Sequence, residues 1–219
     1  MTATATATSN DRVTIGFRTL RLLDRPDSTS RDVAEVIDTD PRLGNQILKM
    51  ARSPLCGIRS DDLTVERALV LLGFVTIRKL VVVSLCRDIS EVAAEEAADW
   101  RRALWNGIAA EEFTRRIDET IASEALMAGM TRSMGGSFGD QDLNAGEGLN
   151  AATIDPARLD RFVAVGEAIA EVFIARQPGL PSTADVDEAI EAAGLPALGD
   201  SRLAVDIRRG YDLYASLLA

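Results

Sequence analysis

Apolar positions along this chain recur at spacings of three and four, and Pro, Gly and short polar residues break them into runs of helical length. The clearest run follows Asp40-Pro41. Asp40 can cap free N–H groups, and proline suits the first helical position because its missing N–H would be unpaired there anyway. Leu43, Ile47, Leu48 and Ala51 then make one stripe. Ser53-Pro54 ends the run, since proline disfavours the α region for the residue before it. Thr64 can cap a second helix in which Val65, Ala68, Leu69 and Leu72 share a face, and Gly73 closes or bends it.

The same reading extends in both directions. Phe17, Leu20, Leu22 and Leu23 predict a short helix ended by Arg25-Pro26-Asp27. Ser28-Thr29-Ser30 offers a cap for the next, with Asp32 in its first turn and Val33, Val36 and Ile37 inward. After Gly73, Ile77, Leu80, Val81, Ser84 and Leu85 predict a buried helix, although Val81-Val82-Val83 has strand propensity, and Gly73 would allow a close joint between the two helices. Ser90 is a candidate cap for the following helix. Trp100, Leu104, Ile108, Phe113 and Ile117 run down one side of it, and Glu111, Glu112, Arg115 and Arg116 read as its solvated face. Met127, Met130 and Met134 read as core packing. Residues 135–153, rich in Gly, Asn and Asp, carry no helical period and read as a flexible loop. Ile154 and Leu159 sit where a hydrophobic staple across Asp155-Pro156 would place them. Three further helices are expected. One is centred on Phe162 to Phe173, one is capped by Ser182, and one carries Leu203, Ile207, Tyr211, Tyr214 and Leu218. All need apolar partners.

The order and spacing of these features resemble the HDOD family of bacterial signalling modules, non-catalytic relatives of the HD phosphohydrolases. Residues 15–90 carry the likeness: Ile37, Asp40, Pro41, Leu43, Ile47 and Leu48 in the first helix pair, Ser53 at the turn, then Thr64, Val65, Ala68, Leu69, Leu72 and Gly73. Arg52 stands where the family has asparagine. The resemblance implies an all-α, HD-domain-like compact multi-helix bundle. It also implies a role in passing signals through protein–protein contact, with Asp40, Pro41, Leu43, Leu48, Ser53, Ala68, Leu72 and Gly73 as structural motif residues. Aligned on Ala128-Gly129, the chain carries Arg132 and Ser133 where the metal-binding histidine–aspartate pair of HD hydrolases stands.

Charge changes this picture locally. The net charge is −10, which argues against general nucleic-acid binding. Yet residues 42–87 hold eight basic residues against three acidic ones, a local +5. That is either a set of solvated faces or a basic surface for an acidic partner or nucleotide. Arg52, Arg59 and Arg67 are the candidate partner-binding residues within it. Residues 30–52 also have the outline of a helix-turn-helix, but the joint holds Asp-Pro and the second helix is not notably basic. An ordinary bundle corner is the simpler reading.

The chain contains no histidine, so imidazole-held metals, Ser-His-Asp and Cys-His catalysis are all excluded. A D-x-D-x-N start at Asp140, Asp142 and Asn144 resembles a calcium loop, but Ala145 and Ala151 occupy the places of its glycine and glutamate. Cys56 and Cys86 do not make a disulfide framework. The first residues, MTATATATSN, lack the basic segment and apolar core of a secretory signal, and no run of residues reads as a membrane span. The expectations are a disordered tail over residues 1–10 and a single helical domain over 11–219. The chain would act in the cytoplasm without catalysis or cofactor, on a protein partner or as a homo-oligomer. A DNA- or nucleotide-binding regulator using the 42–87 region is the alternative, and a divergent carboxylate–magnesium phosphohydrolase the more distant one.

Overall fold

In the computed structural model the described residues are 8–53, 62–92, 98–134 and 155–218. They form α-helices and one short 3₁₀ turn (Glu119–Ile121), with no strand among them, so the chain is all-α. By Cα proximity it divides into two compact units, where the sequence leads us to expect one domain over 11–219. The first unit takes Met1–Glu95, Asp140–Leu149 and Leu217–Ala219; the second takes Glu96–Gly139 and Asn150–Ser216.

The first unit is built from α1 (Ser9–Asp24), α2 (Ser30–Ile37), α3 (Pro41–Ala51) and α4 (Val65–Val92). Helix α1 starts earlier than expected, inside the stretch read as a tail, because Thr8 and Asp11 cap it reciprocally. The rest of that tail lies outside the described residues. Thr29 and Asp32 form the same box on α2. Asp40 caps α3 as expected, its Oδ1 accepting from the backbone N–H of Arg42 at 3.0 Å and of Leu43 at 3.4 Å, with Pro41 at the first helical position. Thr64 accepts from the N–H of Arg67 at the start of α4. Leu20, Val33, Ile37, Leu43, Ile47, Leu69, Ile77, Leu80 and Leu85 fill the core between these helices. Cys86 is buried among them, and burial pushes its thiol pKa far up, so it packs rather than reacts; Cys56 lies outside the described residues.

Helix α4 corrects four expectations. Ser90 does not cap a new helix; it lies inside α4, with its Oγ donating to the Cys86 carbonyl, and α5 begins only at Ala98. Arg78, counted in the basic surface, is 2% exposed and paired with Asp24. Val65–Glu91 is long and apolar enough to cross a membrane by length and composition, which the sequence reading missed. It is the one such helix among the described residues, and 56% of its apolar window is buried in the protein. Finally, Gly73 bends α4 but is not a point of close approach. Its φ of 76° and ψ of 155° are non-helical, and a Cβ built there would meet nothing within 4 Å. The penalty for a side chain is therefore in the backbone, in a region that essentially only glycine enters. Gly73→Ala is expected to cost about 1–3 kcal/mol in a urea titration. An unchanged midpoint would show that α4 straightens at no cost.

The second unit holds α5 (Ala98–Ile117), α6 (Ala122–Ser133), α7 (Pro156–Arg176), α8 (Thr183–Ala192) and α9 (Leu203–Leu218), the last two residues of α9 grouping with the first unit. Every residue of α5 from Ala103 to Thr114 is buried. This overturns the solvated face: Glu111 and Glu112 are 4% and 8% exposed. A helix covered on all sides must neutralise its charges locally. Arg115 bonds Glu111 and Glu112 at 2.6 and 2.8 Å, while Arg116 bonds Glu112, Asp200 and Asp206 at 2.6, 2.9 and 2.6 Å. Burial alone would lower the Arg116 pKa, but its three carboxylate partners raise it. Trp105 of α5 stacks on Phe173 of α7 and Tyr211 of α9, and Phe113 meets Phe162 edge-on. Ser182 caps α8 with Asp185 in return, as the sequence predicts. The 135–153 loop, its calcium-like start and Ile154 lie outside the described residues.

Candidate interaction surface

The candidate surface is the elbow of α4. The apolar run from Val65 to Val83 carries more large side chains than one helix face can bury. Around Gly73 the surplus is exposed: Val70 at 67%, Leu71 at 51% and Val75 at 41%. The other large apolar side chains exposed among the described residues, Ile117, Leu180 and Val205, are scattered singly, as is ordinary on any surface. Ala68 and Leu69, one turn away on the inward side, are fully buried and anchor the elbow to its unit. Exposed Glu66 and Arg67 stand at the N-terminal end of the same segment, giving the patch a charged border.

The three arginines chosen from the sequence part company. Arg67 borders the elbow. Arg52, the C-cap of α3, lines a cleft on that helix together with Arg42, Lys49 and Arg87. Arg59 lies outside the described residues. Two other members of the basic stretch are held internally. Arg42 pairs with buried Asp88, and Arg87 bonds Glu91 and the Leu218 carbonyl. Burial raises the Asp88 carboxyl pKa, and the hydrogen bond from Arg42 opposes that rise. Among the motif residues, Asp40, Leu43 and Ala68 are buried, Leu48 and Leu72 half-buried, and the half-buried Ser53 keeps a buried hydroxyl. They position the helices.

In the second unit, Arg132 and Ser133 close α6. Arg132 pairs with Glu167 of α7 at 3.3 Å. Ser133 Oγ accepts from the Asn106 side-chain amide and donates to the Gly129 carbonyl at 2.9 Å. A cation and a hydroxyl committed in this way make the end of α6 a structural joint between α5, α6 and α7. Among the described residues no group of three acidic or thiol side chains is gathered as a metal ligand set would be.

The family model for the HDOD domain matches residues 13–139, from α1 through α6 and more than half of the chain. The chain belongs to the HDOD family. A solved chain from Shewanella amazonensis SB2B, described as a "putative phosphohydrolase", is 18% identical to this one. Its fold is nevertheless similar, with a TM-score of 0.55 over 99% of this chain and 100% of that one. At that identity the likeness concerns the fold alone. No curated protein matches. The HDOD pattern was legible through capping and spacing. The elbow was not, because Val70 and Leu71 read as part of one continuous apolar run; the excess of apolar residues in VLLGFV was the available signal.

Proposed function

We propose that this HDOD protein is a non-catalytic, cytoplasmic signalling or scaffold module that works by binding a protein partner through the α4 elbow. The observation that carries this reading is the exposure of Val70, Leu71 and Val75 together at one bend, beside exposed Arg67. Contiguous exposed apolar patches rimmed by polar residues mark sites of protein contact, and the elbow, with Glu66 and Arg67 at its border, is such a patch. Gly73 serves the same end. It turns the helix so that side chains which a straight α4 would share with the core are offered outward.

The non-catalytic part of the reading rests on what stands at the end of α6. Arginine would repel a metal and serine is a poor lone ligand, and no histidine exists in the chain to replace them. Leu71→Asp combined with Val75→Asp should leave helicity intact, because both side chains face outward. It should remove a protein that the unaltered chain retains from lysate of its own cell. If both forms retain the same proteins in the same amounts, the elbow is not the contact surface.

A further inference from the structure

The cleft on α3 is lined by charge of one sign. Arg42, Lys49 and Arg52 come from α3 and its C-cap and Arg87 from α4; with Gln46 they surround about 720 Å³ of space, and no carboxylate among the described residues lines it. This occurs in a chain of net charge −10, in which most other arginines of the described residues are paired with acidic neighbours. The volume falls within the ~300–1,000 Å³ usual for small-ligand sites.

Two of the cations are held in place and two are not. Asp88 fixes Arg42, and Glu91 together with the Leu218 carbonyl fixes Arg87, so both guanidinium groups are oriented in advance. Asp88 accepts from one nitrogen of Arg42; Nε and Nη1 are shut from solvent with no acceptor among the described residues. Lys49 and Arg52 are exposed, and neither has an ion-pair partner among the described residues. Gln46 is buried and its side-chain carbonyl oxygen accepts from the Ser84 hydroxyl at 2.7 Å, which leaves its amide as a donor. The ordinary explanation for a lysine and an arginine at the end of a helix is that they offset the helix dipole. That accounts for Lys49 and Arg52. It does not account for Arg87 reaching in from a second helix, nor for the oriented amide.

We propose that this cleft is a binding site for a small ligand bearing a di- or triphosphate, of nucleotide size. Arginine forks match phosphate oxygens two at a time, and Lys49 adds a mobile point charge. Half-buried Leu48 and buried Leu217 give the rest of such a ligand an apolar wall. The site lies within the first unit and takes none of its groups from the α4 elbow, so it adds a ligand-sensing function to a partner-binding module.

The test is calorimetric titration of the full chain with three probes: ATP, inorganic triphosphate, and a twelve-nucleotide single-stranded DNA. ATP is expected to bind saturably at one per chain. Lys49→Glu with Arg52→Glu should weaken it at least tenfold with unchanged circular dichroism. Binding of triphosphate as well would place the recognition on the phosphates; binding of ATP alone would show that the nucleoside contributes. Either result supports the site. No saturable heat from ATP or triphosphate overturns it, as does equal ATP binding by the double variant. DNA binding tighter than both small probes also overturns it, since the strip would then be a nucleic-acid surface.

Discussion

Replacing Arg78 by alanine is expected to remove about 3–5 kcal/mol of stability, the range for breaking one side of a buried ion pair. Arg78 is 2% exposed in the middle of α4 and meets Asp24 at the end of α1. Without the guanidinium, Asp24 keeps a charge that is only partly in water, and removal of the buried arginine stem leaves a void. A urea midpoint followed by circular dichroism measures the loss. Pairing the change with Asp24→Leu, and using Arg78→Met to restore volume, should recover most of it, because the pair is costly to split and far less costly to remove whole. A loss below about 1 kcal/mol for Arg78→Ala would mean that the charge is solvated and the pair is not formed.

The second large effect lies in the other unit. A Cβ on Gly166 of α7 would sit 2.5 Å from Ala110 Cβ and 2.6 Å from the Ala110 backbone N and Cα. These are backbone and near-backbone atoms of α5, so nothing flexible can swing aside. Gly166→Ala should therefore destabilise the fold by about 1–3 kcal/mol through overpacking, even though alanine is the better helix former by about 1 kcal/mol. Gly166→Val should cost more. A thermal unfolding midpoint that rises with alanine would show that α7 rides further from α5 than the geometry gives. The close approach is matched across α5, where a Cβ on Gly129 of α6 would lie 3.1 Å from Gly107 Cα and from the Asn106 carbonyl oxygen. Small residues on both sides let three helix backbones come together.

The elements that could be read in advance were those whose signals are local. Asp40-Pro41, Thr29 with Asp32, Thr64, and Ser182 each announce a helix start within four residues, and each caps one. Ser90 misled because an isolated serine fits a helix interior equally well by donating to the carbonyl four residues back. Glu111 and Glu112 misled for a different reason. Whether a charged face meets water or another helix depends on α7 and α9, and on Asp200 and Asp206, some ninety residues away. Arg78 is the same case with Asp24. The basic stretch was visible as composition, but not its sorting into buried, paired and open members. That sorting requires knowing which helix lies over which.

The stretch recognisable as a family pattern and the stretch that completes a core are not the same piece of chain. The family match runs from residue 13 to 139 and takes in α5 and α6, while the α7 backbone that meets Ala110 and the rings of Phe173 and Tyr211 that cover Trp105 come later. Heredity has marked one boundary and packing another. A recombination event that exchanged only the recognisable stretch between two relatives would give α5 of one parent the lid of the other. The hybrid would survive only where Ala110, Gly166 and Trp105 found the same small and flat partners. A change in α7 or α9 at these contacts therefore calls for a matching change in α5.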